Sequence, residues 1–394
     1  MKFDPKKALL GTTAIVGASL LAAAPAAAKP EVSLGGGMDF QMGWTSQDRE
    51  GWSPTPGGVV GPSSERGYSM FQRTIININA SDTTDSGMKW AFKLDLNADA
   101  DGGPNAANGL KDGTARDAAD KVTLDLSDAW GSVSVGADYG VFRTMNFGSK
   151  DATKSAGTGG ADGSWGRWFQ RKSISAARFE VSTTAHDSTT SSRINYVTPR
   201  VAGFQAGITH AMDRTTIGRF RSPESFAGSR NLEENFWQAG VNYVNKFGDF
   251  DIGLSLVGVR ADNNNDSKVD QKTYSTGFVV GYGDWKVGGR YSNEKREAAL
   301  ARTDTNGGYK QWDLGVGYTM GPWAFGLSTM QQKGGIVNGS GTASQNVYAF
   351  GTTYDFGGGL ALYGELWHAK NKGGVVAASN NEGTGLITGV RVKF

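Results

Sequence analysis

The side chains of this 394-residue chain best placed to do chemistry are charges set two residues apart on extended segments. In Lys89–Asn97, Lys89, Lys93 and Asp95 share one parity, and Trp90, Phe92, Leu94 and Leu96 take the other. Lys121 and Asp125 likewise oppose Val122, Leu124 and Leu126, and Asp138 shares its parity with Ser132 and Ser134 against Val133, Val135 and Ala137. Arg73 and Arg193 fall on the same face of two further segments. Successive side chains of a strand point to opposite sides, so each segment has a charged face and an apolar face. Cations and carboxylates that line a water-filled gap set up a field that sorts ions and orients dipolar solutes. This is electrostatic rather than covalent chemistry, and Arg73, Lys93 and Arg193 are its strongest candidates.

Covalent chemistry is poorly supplied. The chain has no Cys and three His, at 186, 210 and 368. Nucleophilic catalysis needs a His beside a Ser with a third group orienting it. His186 is followed by Asp187 and several Ser and Thr, but in a polar loop, and His210 and His368 sit toward strand ends. The run Asp262-Asn263-Asn264-Asn265-Asp266 faintly resembles a calcium loop, yet Ser267 and Thr273 stand where Gly and Glu are expected. A solvated loop is the stronger reading, with outer-face calcium as the alternative, and no other cofactor or metal is expected. Gly357-Gly358-Gly359 is turn material, since no Lys-Ser/Thr follows as in a phosphate-binding loop.

The elements that must position the charges repeat one pattern. In the last eleven residues Leu386, Thr388, Val390, Val392 and Phe394 face one way, and Gly385, Ile387, Gly389, Arg391 and Lys393 the other. About ten tilted residues suffice to cross a bilayer as a strand. Upstream, Lys2, Lys6 and Lys7 precede an apolar run at 8–21 and an Ala26-Ala27-Ala28 cleavage site, which predicts an export signal over 1–28, cut between Ala28 and Lys29, and a single domain over 29–394. The 58 Gly and 42 aromatic residues (19 Phe, 12 Tyr, 11 Trp) suit a barrel wall. Small residues let strands and lumen-filling segments approach, and aromatics sit at the two lipid–water interfaces. Trp90, Trp237, Tyr243, Trp285, Tyr291, Trp312, Tyr318, Trp323 and Tyr354 recur near strand ends on the apolar face. A mean hydropathy of −0.39 is compatible with a membrane, because only alternate residues of a barrel strand meet lipid. Without Lys2, Lys6, Lys7 and Asp4, the 40 basic and 38 acidic residues fall to 37 of each, and nothing points to nucleic acid.

Connection lengths alternate. Short turns at Asp82–Gly87, Ser127–Gly131, Pro199–Gly203, Asn245–Asp249, Gly283–Asp284, Met320–Pro322 and Asp355–Gly359 interleave with long polar loops near 46–67, 100–118, 140–190, 213–234, 261–271, 295–308, 333–344 and 370–382. Such a chain predicts an all-β fold, a transmembrane antiparallel β-barrel of about sixteen strands, with turns on the periplasmic side and loops outside.

Ser192-Arg193-Ile194-Asn195-Tyr196-Val197-Thr198-Pro199-Arg200-Val201-Ala202-Gly203-Phe204-Gln205 resembles the hairpin after the constricting loop of Gram-negative outer-membrane general porins, here of the alphaproteobacterial type. Phe394 is similar to that family's terminal aromatic, which implies recognition by the barrel assembly machinery. The resemblance implies a homotrimer among outer-membrane lipid and lipopolysaccharide, passive diffusion of small hydrophilic solutes, and a third loop folded into the lumen. That loop departs from the family: Gly140-Val141-Phe142-Arg143-Thr144-Met145-Asn146-Phe147-Gly148 replaces a Pro-Glu-Phe-Gly type motif. Its Trp165, Trp168 and Phe169 favour burial against a wall. Its Asp151 and Asp162 are expected to face a basic wall, with Asp95, Asp125 and Asp138 completing the acidic set. A channel specific for a sugar or an anion is the alternative. A sugar slide needs more inward aromatics than Tyr363 and Trp367, and a phosphate ladder needs cations without matching acids.

Overall fold

The computed structural model describes residues 30–48, 67–98, 119–169, 191–213, 233–263, 270–296, 308–335, 342–372 and 380–394. The expected cleavage junction at Ala28 and Lys29 lies outside them. The strands are β1 (Glu31–Asp48), β2 (Tyr68–Thr83), β3 (Lys89–Asn97), β4 (Ala119–Asp128), β5 (Gly131–Ala137), β6 (Ser192–Val197), β7 (Phe204–Asp213), β8 (Glu233–Phe247), β9 (Phe250–Asn263), β10 (Gln271–Tyr282), β11 (Trp285–Arg296), β12 (Tyr309–Met320), β13 (Trp323–Gly335), β14 (Thr342–Gly357), β15 (Leu360–Lys372) and β16 (Asn381–Lys393). Each pairs with its sequence neighbours, and β1 pairs antiparallel with β16 from Gly37↔Lys393 to Asp48↔Glu382, which closes a sixteen-stranded barrel. Closure leaves no edge strand whose amides would need partners in lipid.

Period-two patterning is the cause of this architecture. In β10, Gln271, Thr273 and Ser275 are buried inside, while Lys272, Tyr274 and Phe278 are exposed outside. The outer surface is apolar, with Phe250, Tyr282, Trp285, Tyr318, Trp323 and Tyr354 at the short-turn rim. Trp237, Tyr274, Tyr291, Trp312 and Tyr348 lie nearer the long-loop ends of their strands. Residues 70–81 and 192–198, where the alternation is weaker, are strands too, falling in β2 and β6. In β2 the blur arises because apolar Phe71 and Ile75 share the inward parity of Arg73. His210 packs on Trp237 with tilted rings and His368 stacks on Tyr348, both on the outward parity. His186 and residues 264–269 of the calcium-like run lie outside the described residues.

The hairpin Gly358–Gly359 shows how tightly the periplasmic rim is built. Gly359 has φ +83°, and a Cβ there would sit 1.9 Å from the Lys393 carbonyl oxygen, whereas Gly358 (φ +60°) faces open space. Left-handed backbone costs a side-chain-bearing residue about 1–3 kcal/mol before any clash. Gly359→Val is therefore expected to lower the denaturant midpoint of the detergent-folded barrel clearly more than Gly358→Val, followed by tryptophan fluorescence.

Candidate functional site

The third long connection enters the barrel. Its described part, 138–169, contains two short helices, α1 (Val141–Thr144) and α2 (Ser149–Thr153), and two tight 3-10 turns, Gly160–Asp162 and Ser164–Arg167. Irregular backbone at membrane depth is stable only where the surrounding protein or water satisfies its amides. The wall does this strand by strand. The Val141 amide donates to Thr209 Oγ1 on β7 at 2.9 Å, Phe142 to Gln238 Oε1 on β8 at 3.0 Å, and Phe147 to Ser255 Oγ on β9 at 2.9 Å. Asn146 Nδ2 donates to Ser275 Oγ on β10 at 3.0 Å. Further round, Ser149 N donates to Asp313 on β12 at 2.5 Å, Ala161 N to Ser328 Oγ on β13 at 2.7 Å, and Gly157 N to Thr353 Oγ1 on β14 at 2.9 Å. Glu365 on β15 accepts from Thr158 N (2.8 Å), Thr158 Oγ1 (2.6 Å) and Gly160 N (3.1 Å). Gln47 Nε2 on β1 donates to the Trp168 carbonyl at 2.8 Å.

Close approach requires a wall without side chains. A Cβ at Gly277 would lie 2.0 Å from the Phe147 carbonyl oxygen, and one at Gly317 2.0 Å from that of Ala152. From β7 to β14 every strand sets such a Gly two residues from its polar anchor: Gly207 and Thr209, Gln238 and Gly240, Gly253 and Ser255, Ser275 and Gly277, Gly288 and Arg290, Asp313 and Gly315, Gly326 and Ser328, Gly351 and Thr353. The anchors were not foreseen from the sequence, though this repeated polar-x-Gly spacing on the inward parity is a signal that could have found them. The far end of the loop docks through aromatics, with Trp165 and Phe169 packed on Trp367 at ring centroid distances of 6.3 and 5.9 Å. The inward expectation for Trp165, Trp168 and Phe169 holds, and all three are buried.

The structure distributes the candidate charges unevenly. Arg73 pairs with Asp120 at 3.2 Å, Lys93 with Asp125 at 2.6 Å, and Lys121 with Asp138 at 3.0 Å, all on the uncovered wall of β2 to β5. Asp95 accepts from Asn77 Nδ2 at 2.5 Å on the same wall. Lys89 instead begins β3 directly after the Thr84–Met88 turn, so it stands at the periplasmic mouth and not at the constriction. Arg193 is buried and donates to the Ser191 carbonyl and hydroxyl, so it braces the foot of the loop and does not face the opening. Arg391 pairs with Asp39 at 3.5 Å and lies over the Tyr363 ring.

The expected acidic face of the loop is corrected. Asp162 is buried against Arg290, with its carboxylate 3.4 Å from Nη2, and Arg290 Nε also reaches Asp313 at 3.1 Å. Asp151 is spent locally, accepting the Gly148 amide at 2.9 Å at the start of α2. A carboxylate shielded from water is stable only beside a cation, and the wall supplies one in Arg290. The exposed loop charges are instead the cations Lys150, Lys154 and Arg167, with Arg143 half-buried. Lys150 and Lys154 stand opposite the buried Ser149, Ala152 and Thr153 face of α2, Arg143 lies over Tyr139 at 3.6 Å, and Arg167 over Phe71 at 3.9 Å. Desolvation, then the nearby Arg73 charge, lower the Arg167 pKa from its ordinary value. Among the described residues no carboxylate forms an ion pair with Arg143, Lys150, Lys154 or Arg167.

Truncating Arg290 would leave Asp162 and Asp313 buried without their cation, a loss of about 3–5 kcal/mol. Arg290→Met is expected to release the loop, seen as new trypsin cleavage at Lys150 or Lys154 in the folded barrel and as larger, noisier conductance steps. Unchanged protection and conductance would contradict the pinning role.

The closed sixteen-stranded barrel agrees with what comparison shows. Among solved structures, an anion-selective porin from Comamonas acidovorans is 17% identical with a TM-score of 0.60, over 93% of this chain and 100% of that chain. The trimer form of in-vitro folded OmpT of Vibrio cholerae is 12% identical with a TM-score of 0.61, over 93% and 100%. A mutant porin of Rh. blastica is 16% identical with a TM-score of 0.52, over 92% and 100%. At these identities the likeness is one of fold. An uncharacterized protein of Rickettsia prowazekii is 25% identical over 256 residues, 51% of this chain, which spans 57% of that relative's length. The description of Gram-negative porins matches residues 11–374. On that match and the closed sixteen-stranded barrel, the chain belongs to the Gram-negative porins, proteins of the outer membrane.

Proposed function

We propose that this protein is a water-filled pore for passive diffusion of small hydrophilic solutes and ions, and that its constriction favours anions. The carrying observation is the one-sided anchoring of the loop on β7 to β15 and β1, which leaves an opening between its cationic face and the paired charges of β2 to β5. On the uncovered wall Arg73, Lys93 and Lys121 each stand beside a carboxylate, so their fields largely cancel at a distance. Arg143, Lys150 and Lys154 carry no such partner among the described residues, and their field extends into the gap, while that of Arg167 is offset in part by Asp39. Solutes pass by size and charge with no bound cofactor and no catalytic step. The anion selectivity of the Comamonas acidovorans porin accords with this sign.

The same reading extends to assembly. Strands β5 and β6 have 7 and 6 residues, while β14 has 16. At about 3.3 Å per residue and a tilt near 40°, six or seven residues rise under ~20 Å, short of the ~25 Å apolar band of a bacterial barrel. The low flank presents Leu124, Val135 and Ile194, which a second and third copy of the chain would cover as a homotrimer. The OmpT neighbour in its trimer form supports this. The last strand and Phe394, whose backbone exchanges hydrogen bonds with Gly36, fit recognition by the barrel assembly machinery. Outer-membrane lipid and lipopolysaccharide would contact the rest of the girth.

Two measurements check the proposal. In a planar bilayer under a salt gradient, the wild-type protein is expected to give large ohmic steps with a reversal potential of anion-preferring sign. The triple variant Lys150→Glu, Lys154→Glu, Arg167→Glu is expected to reverse that sign, while no conductance from a folded wild-type barrel would refute the pore. Separately, Val135→Glu with Ile194→Glu is expected to convert a heat-sensitive trimer band on unboiled gels to monomer while the barrel stays folded.

A further inference from the structure

Two aromatic rings stand where the ends of the described loop meet the otherwise open wall. Phe71 takes the inward parity of β2, two residues from Arg73. Tyr139 follows β5 at the root of the loop and is half-buried. Both rings carry cations. The Arg167 guanidinium lies over Phe71 at 3.9 Å and that of Arg143 over Tyr139 at 3.6 Å, with Lys121 Nζ over the same Tyr139 ring at 4.4 Å. The face of an aromatic ring attracts a cation, and a planar guanidinium stacks on it with its N–H edge left free.

The two seats have the same composition. At Tyr139, Lys121 pairs with Asp138 at 3.0 Å, and Arg143 is the surplus cation among the described residues. At Phe71, Arg73 pairs with Asp120 at 3.2 Å, and Arg167 is the surplus. Asp39 also attracts Arg167, but it is itself paired with Arg391 at 3.5 Å. In both places the wall supplies a cation with its carboxylate, the loop supplies the extra charge, and an uncharged ring holds it. Like charges repel, so long side chains free to move would swing apart. A ring contact at a partly exposed site favours the seated rotamer by about two- to fivefold.

The rings are themselves fixed. Phe71 packs against the buried aromatic end of the loop. Tyr139 is held through its backbone, whose carbonyl accepts from Asn195 Nδ2 at 3.3 Å and whose amide donates to Asp138 Oδ1 at 2.7 Å. Each seat therefore stands ready independently of the guanidinium that occupies it.

We propose that Tyr139 and Phe71 are specificity-determining residues of the pore, uncharged rings that seat Arg143 and Arg167 at the two edges of the opening and so hold the surplus positive charge where a solute passes. The assignment rests on the anion-favouring reading of the constriction and adds what fixes the position of that charge. It makes selectivity depend on side chains that a count of loop charges would pass over.

The test is the reversal potential of the purified protein in a planar bilayer under a KCl gradient. Tyr139→Leu with Phe71→Leu alters no charge and is expected to lower the chloride-to-potassium permeability ratio by about twofold or more, toward unity. Tyr139→Phe and Phe71→Tyr keep a ring at each seat and are expected to keep the wild-type ratio. Should the Leu variant fail to fold, Arg143→Lys with Arg167→Lys keeps both charges but removes the planar stack, and is expected to move the ratio in the same direction. The size of the conductance steps shows whether the loop has stayed in place. A lower ratio with an unchanged step supports the ring seats, whereas a lower ratio found only with larger, noisier steps would mean loop release and overturn them. An anion-preferring wild type whose Leu and Lys variants keep its ratio would also overturn the seats and leave the anion-favouring pore standing. A conducting wild type without anion preference would sink that reading and the seats with it.

Discussion

The constraint on which the rest of this structure depends is that the backbone of an irregular segment inside a membrane barrel must be hydrogen-bonded. A helix or a ladder satisfies itself, but residues 141–169 form only two short helices and a pair of 3-10 turns. Their amides are met by the wall, through Thr209, Gln238, Ser255, Asp313, Ser328, Thr353 and Glu365 in turn. Each such bond contributes about 1 kcal/mol net, while an orphaned buried amide would cost more than that. The loop is thus held by many small contributions around half the girth, with the Arg290 cluster and the Trp367 stack as its firmer points.

This arrangement decides where charge can be seen by a solute. The wall under the loop must be polar to serve it, and that polarity is consumed in doing so: Asp162, Asp313 and Arg290 are all buried. Function is left to the surfaces that anchor nothing. These are the free side of the loop, with Lys150 and Lys154, and the wall of β2 to β5, where cations and carboxylates neighbour each other beyond the contact of Arg167 and the loop aromatics with Phe71. The outside of the barrel follows the same logic in reverse. Apolar strands satisfy lipid, aromatics mark the boundaries, and the cationic residues of β9 to β15 gather at the long-loop rim.

Much of this was legible in the chain. Alternation in Lys89–Asn97 and in the last eleven residues gave strands with one wet and one greasy face, and alternating connection lengths gave sixteen of them. The pairs Lys93–Asp125 and Lys121–Asp138 follow from parity, because residues of like parity on neighbouring strands share the lumen. The aromatics at 165, 168 and 169 announced burial correctly. Misjudged were Lys89, whose parity is right but whose height is the rim, and Arg193 and Asp162, whose lumen-side position ends in burial.

The sequence by itself determined the class of fold and the faces of the strands, because these depend on periodicity, which is local; the inward course of the third loop came from the family resemblance, with Trp165, Trp168 and Phe169 favouring it. Tertiary structure alone decided which charges the pore retains. Whether Asp162 faces water or Arg290 depends on how residues 141–169 wrap across β7 to β15 and on to β1, and an ion pair 128 residues apart in sequence leaves no local trace. The sign of the constriction is therefore a property of packing: a carboxylate and a lysine a few residues apart on the same loop part company, one toward the wall and one toward the lumen, according to which side can neutralise it.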